Sequence, residues 1–346
     1  MAHFHASDVL PLIDAVFELL IAVGLSILFI GYVVLKRKRG WYLKPLPLNA
    51  ILASILFYIG SEICLGVYNV VYLSHIHMKP TYSAADPISG GLMLIAIIVL
   101  FYVFYATVYI FGEQIMGHSS LWARLKVFHW VLLGIFSSIG IVDFAWFVYK
   151  ALGRMQYVRQ PEEYISHYNT WAKIESCKWI VFWVGSWEIL GALMLMGMRA
   201  STSATHMRMA TYFALTAGSF FFALNGLWAI WSINSYLVHL SPTGVAIAAR
   251  EVIQFFFCMG SFLGLGLCAW RFPAKVMEDM DSVSLPGVRD RTPMFAVEAD
   301  SSTPHTYATE LGHESNSDYV PKPKHAEIAA SRPILEADSR AAHEKP

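Results

Sequence analysis

The chain has 346 residues, 56% of them hydrophobic and only 14% charged, and its mean hydropathy is +0.49. A soluble domain of this size carries closer to ~25% charged residues, so the composition excludes an ordinary soluble protein. The formal net charge is zero and the basic residues sit in short loops, so no nucleic-acid partner is expected.

The zero conceals an asymmetry. Residues 1–271 hold 17 Lys+Arg and 12 Asp+Glu, a net of +5, whereas residues 272–346 hold 8 and 13, a net of −5. The chain therefore divides into a membrane body and an acidic, polar tail. The hydrophobic runs predict an all-α bundle of seven transmembrane helices, at about 12–35, 48–73, 90–111, 127–149, 179–198, 209–236 and 249–271. Each is long enough to cross a bilayer. Pro11 and Pro47 suit first helical turns, and Pro273 ends the last span. No basic segment and small-residue cleavage site precede the first apolar run, so no cleavable signal peptide is expected. Nor does an Asn-x-Ser/Thr acceptor occur.

Lys36-Arg37-Lys38-Arg39 follows the first span directly. By the positive-inside rule this loop is cytoplasmic, which puts the N-terminus outside and the tail inside. Arg124 and Lys126, Arg199 and Arg208, and Arg271 and Lys275 fall on the same inner side. The loop at 150–178 departs from this pattern, because it is an outer loop yet carries Lys150, Arg154, Arg159, Lys173 and Lys178. Within it Pro161-Glu162-Glu163 resembles a helix start. Tyr164, Tyr168 and Trp171 then recur at i, i+4 and i+7. The segment reads either as a short interfacial helix on the outer surface or as an irregular loop. Residues 276–346 are rich in Ser, Pro, Asp, Glu, Ala and His and are expected to be disordered, with room for a cytoplasmic partner.

Six acids lie in or near the spans: Asp14, Glu18, Glu62, Asp143, Glu188 and Glu251, the last beside Arg250. Glu62 and Glu188 fall near the midplane, and the others fall in the outer half or at its rim. This one-sidedness suggests a polar cavity open to the outer leaflet. On span two, Tyr58, Glu62 and Asn69 share one helical face with Gly66 between them. Asn225 and Trp228 mark a face of span six, as Glu251 and Gln254 do on span seven. Around Glu188, Gly185, Gly191 and Ala192 leave space for a neighbouring helix, and Gly260 and Gly264 form a small-xxx-small pair. A lone intramembrane acid serves either as a hydrogen bond between helices or as a functional group. Both readings stay open for Asp143 and Asp14, whereas Glu62 and Glu188 are read as functional and as lining one cavity.

Several chemistries can be set aside from the residues. A retinal protein needs a lysine in the last span, and residues 249–270 contain none. Asp-Arg-Tyr and Asn-Pro-x-x-Tyr signatures are absent. His129 is a lone intramembrane histidine, which is too few for a b-type haem, and aspartate-rich magnesium–diphosphate motifs are missing. The four cysteines, Cys64, Cys177, Cys258 and Cys268, form no disulfide framework. No Cys/His spacing suggests a metal, so neither metal nor cofactor is expected.

The layout resembles that of fungal integral-membrane proteins of about seven spans, among them the membrane-bound terpene cyclases of meroterpenoid pathways. Glu62, in Gly60-Ser61-Glu62-Ile63, occupies the place of the second-span acid implicated there in protonating an epoxide or olefin. Trp187-Glu188 is similar to the Trp-Glu pair of some members, but lies in span five. The acidic tail departs from the family. The resemblance implies acid protonation of a prenylated or epoxidised lipophilic substrate, with Glu62, Glu188 and Asp143 catalytic and Glu18, Tyr58, Asn69, Asn225, Trp228 and Gln254 binding substrate. Such chemistry needs a neutral carboxylic acid, which burial favours, and aromatic faces to shield a cation. The same features suit a receptor or transporter for a lipophilic small molecule in the plasma membrane or endoplasmic reticulum. The tail favours that alternative.

Overall fold

The computed structural model describes residues 9–39, 43, 45–73, 85–117, 120–156, 161–202, 207–238 and 243–273. They all fall in one unit, Met1–Arg289. Every regular element among them is helical: α1 Val9–Arg39, α2 Leu48–Leu73, α3 Ala85–Met116, α4 Ser120–Gln156, α5 Pro161–Thr202, α6 Arg208–Ser232 and α7 Gly244–Arg271. All seven are long and apolar enough to cross a bilayer, so the chain is a multi-pass membrane protein. The tail lies outside the described residues.

The helices outrun the apolar stretches at most ends because hydropathy marks only the hydrocarbon core, while the backbone stays helical into the interface. The largest difference is at α5. Residues 161–171 are helical, but they continue into the fifth span as one 42-residue helix rather than forming a separate interfacial one.

Neighbours in sequence pack side by side, and α7 closes on α1. Tyr32 of α1 donates to the Phe262 carbonyl of α7 at 2.6 Å, and Arg39 donates to that of Trp270 at 2.5 Å. Ser54 and Ser61 of α2 donate to the carbonyls of Ala96 and Ser89 of α3. α3 touches α2, α4, α5 and α6, and more of it is buried than of any other span. Apolar on every side, it carries the core: Phe101 packs against Phe136, Phe182 and Phe221 at ring distances of 4.6–5.6 Å. A helix with no polar face has to sit inside. The outward residues of the other helices, such as Val23, Ile27, Ile30, Val127 and Phe256, are large and apolar, as contact with lipid chains requires.

α6 ends in a π-helical turn at Ile233–Leu237. In a continuous α-helix Trp228 and Tyr236, eight residues apart, would point roughly 80° apart. The wider turn takes up much of that angle and turns both toward the same cavity. Ser176 of α5 donates to the Ser232 carbonyl at the start of this turn, at 3.2 Å.

Small residues set the helix spacing. A Cβ on Gly264 would stand 2.8 Å from Ala217 Cβ and 3.0 Å from its Cα, so α6 and α7 meet backbone to backbone. Gly185 likewise admits the Phe136 ring, whereas Gly191, expected to do the same, has no neighbour within 4 Å. Gly264→Val should therefore destabilise the bundle by about 1–3 kcal/mol, read as a lower Tm in detergent. Gly191→Ala should match or exceed the wild-type Tm.

Candidate functional site

One charged cluster ties α4 to α5. Lys178 Nζ lies 2.7 Å from Asp143 Oδ2 and 2.8 Å from Glu175 Oε2. The lysine and aspartate side chains are only 9% and 7% exposed. The other Glu175 oxygen, Oε1, accepts from Trp179 Nε1 at 2.5 Å. That bond fixes the Trp179 ring, which stacks on Trp228 of α6 at 5.2 Å and 15°. On α7, Arg250 binds the neighbouring Glu251 carboxylate. Its Cζ stands 5.4 Å from the Trp228 ring centre and 4.4 Å from that of Trp231.

These groups edge a cavity of about 370 Å³ at the end of the bundle where α1 begins. Its wall is rich in aromatic rings, from Phe144 and Phe147 of α4, Trp171, Trp179 and Phe182 of α5, and Trp228 and Tyr236. Met93, Leu94 and Ile97 of α3 add aliphatic surface. Asp143, Glu175, Lys178 and Arg250 supply the polar side, with Asp86 and Ser89 at the start of α3. This size and mix fit a small lipophilic molecule with a polar end.

The expected site residues fall into four places. Asp143 and Trp228 line the cavity. Glu18, Tyr58, Glu62, Asn69 and Gln254 gather instead between α1, α2 and α7. There Asn69 Nδ2 donates to both oxygens of Glu18 at 3.0 Å. Glu62 is 2% exposed, and its Oε2 has no hydrogen-bond partner among the described residues. Gln254 Oε1 is in the same condition.

Glu188 stands apart from both groups. His129 Nε2 lies 2.9 Å from its Oε1, and the imidazole stacks on Tyr105 at 4.1 Å. Glu62 and Glu188 therefore do not line one cavity. His129, a lone histidine by sequence, is the partner of Glu188. Asn225, fully buried, turns its amide back to the Phe221 carbonyl of its own helix at 2.9 Å and is not part of the cavity lining.

Lys178 and Glu175 went unrecognised in the sequence because they seemed to belong to a polar loop. Their i, i+3 spacing with Trp179 next in line was the available signal, since an ion pair and an aromatic at that spacing share one helical face. Pairing with two carboxyls also means that Lys178 does not count as a free loop charge. Among the described residues no three His, Cys, Asp or Glu side chains converge as metal ligands. Comparison with protein-family models, curated proteins and solved structures finds no match to this chain.

Removing one member of a buried ion cluster strands the others. Lys178→Met should cost on the order of 3–5 kcal/mol, read as loss of monodisperse protein in detergent. Adding Asp143→Asn and Glu175→Gln removes the stranded charges and should restore most of the yield.

Proposed function

We propose that the chain is a receptor- or transporter-type membrane protein that binds a small lipophilic molecule with a polar end group. The observation that carries this reading is the aromatic cavity in which Asp143 and Glu175 are already bonded to Lys178. With Asp143 and Glu175 both engaged by one ammonium, the polar side suits hydrogen bonding to a ligand hydroxyl or amine. The stacked Trp179 and Trp228 rings offer flat apolar contact, and Arg250 above Trp228 polarises the rim.

The terpene-cyclase reading keeps one observation in its favour. Glu62 is a buried carboxyl without a hydrogen-bond partner on Oε2, the condition a neutral catalytic acid requires. Its place outside the cavity lining argues for binding over cyclisation.

Orientation follows from charge. Lys36 to Arg39 end α1 as an exposed basic run, which supports a cytoplasmic α1–α2 loop, an outer N-terminus and a cavity facing the lumenal or extracellular side. The plasma membrane and the endoplasmic reticulum both fit that orientation.

Purified protein in detergent should gain several degrees of Tm with members of a panel of prenylated phenols, sterols and long-chain alcohols, without changing them. Met93→Trp fills the cavity and should abolish the gain. Mass-spectrometric detection of isomers of unchanged mass would instead establish the cyclase. An Asn-x-Thr acceptor engineered ahead of Leu12 should be glycosylated, and one beyond Lys275 should not. The reverse pattern overturns the orientation.

A further inference from the structure

The cavity makes no use of the carboxyls gathered between α1, α2 and α7. Glu18, Glu62 and Glu251 are each more than nine-tenths buried. They lie within electrostatic reach of one another, with Asp14 of α1 at the rim. The cation they share, among the described residues, is Arg250. Three carboxylates against one guanidinium would leave two uncompensated charges in apolar surroundings, and such groups are relieved by taking up protons.

The local bonds indicate which carboxyl is left over. Glu251 holds Arg250, and Glu18 holds the Asn69 amide. Glu62 has neither, and its buried Oε2 is unpartnered. Around it stand Tyr58 on its own helix and Cys258 on α7. Gln254 shares the helical face of Glu251 and Cys258 and brings a second buried acceptor without a donor. Carboxyls lacking cations beside acceptors lacking donors are what bound protons complete.

Arg250 also belongs to the cavity. Besides Glu251 it faces Trp228 and Trp231 and lines the ligand space. Among the described residues Tyr236 also stands near it on this side, with Glu175, Tyr168 and Asp86 around that tyrosine. One guanidinium therefore answers to the carboxyl cluster on one side and to the cavity wall on the other.

We propose that the α1–α2–α7 cluster is a proton-binding site centred on Glu62, and that Arg250 couples its occupancy to the cavity. When Glu62 gives its proton to water at the Asp14 rim, the new carboxylate draws Arg250 away from the Trp228 face. Reprotonation lets Arg250 return. Only an O–H bond breaks and forms, and a ligand that prefers one position of Arg250 is then linked to protons.

The test uses full-length protein in phosphatidylcholine nanodiscs with no ligand added, so its outcome is independent of what the cavity binds. Infrared difference spectra and tryptophan emission are recorded through one pH titration. The carbonyl band of a protonated carboxylic acid should titrate, vanish in Glu62→Gln and persist in Glu188→Gln. Emission should change with the same midpoint and lose that step in Glu62→Gln. The double variant Trp228→Phe, Trp231→Phe, which removes both rings beside Arg250, should lose the emission step but keep the band. A band unaffected by Glu62→Gln overturns the site. An emission step that survives the double variant, or that is displaced from the band's midpoint, overturns the coupling. If Glu62→Gln does not fold, Glu62→Asp retains a titrating group and must move the midpoint; an unmoved midpoint overturns the site as well.

Discussion

A lysine ammonium inside a membrane bundle must be neutralised, and the way Lys178 is neutralised organises much of this protein. Asp143 reaches it from α4 and Glu175 from one turn earlier on α5. Because Glu175 is held there, its second oxygen can fix the Trp179 indole. Because Trp179 is fixed, Trp228 has a surface to stack on, and Arg250 has a ring to lie over. The cavity wall is thus one continuous chain of contacts across α4, α5, α6 and α7. It starts from a single electrostatic requirement, since stranding any member of a buried ion cluster is far costlier than completing it.

The intramembrane acids show how environment divides one residue type into several roles. Asp143 is an ion-pair partner. Glu188 sits against an imidazole and keeps some contact with its surroundings. Glu62 has carboxyl groups for its charged neighbours and a guanidinium shared with two of them. A carboxyl without a dedicated partner in an apolar setting is stable chiefly as the acid. Of the three, Glu62 is the one whose carboxyl meets neither a lysine nor an imidazole among the described residues.

Much of the architecture was legible in the sequence because bilayer thickness fixes span length. The predicted bounds of α2 coincide with the helix itself, Leu48–Leu73. The concentration of acids toward one end was legible too, since alternating spans assign each residue a depth. What stayed hidden was pairing between helices. Nothing in the positions of Asp143 and Lys178, 35 residues apart, says that they meet, and the same holds for His129 and Glu188. Lys178 was obscured further because a charged residue at the start of an apolar run reads as loop, whereas α5 had already begun at Pro161. Gly191 misled in the opposite direction, for a small residue on a helix marks a close neighbour only when another helix is there.

The double tie between α4 and α5 bears on how the chain enters a membrane. Their contacts lie at two levels, Asp143 with Lys178 and His129 with Glu188. α5 therefore leaves the insertion machinery carrying Glu175, Lys178 and Glu188 in its inter-helix contacts, and α4, made before it, holds a partner at each level. Alone in lipid α5 would be a poor span. As a helical hairpin with α4 its charges are already answered. The pair is best regarded as one helical hairpin, whose polar groups are satisfied only when both helices are present.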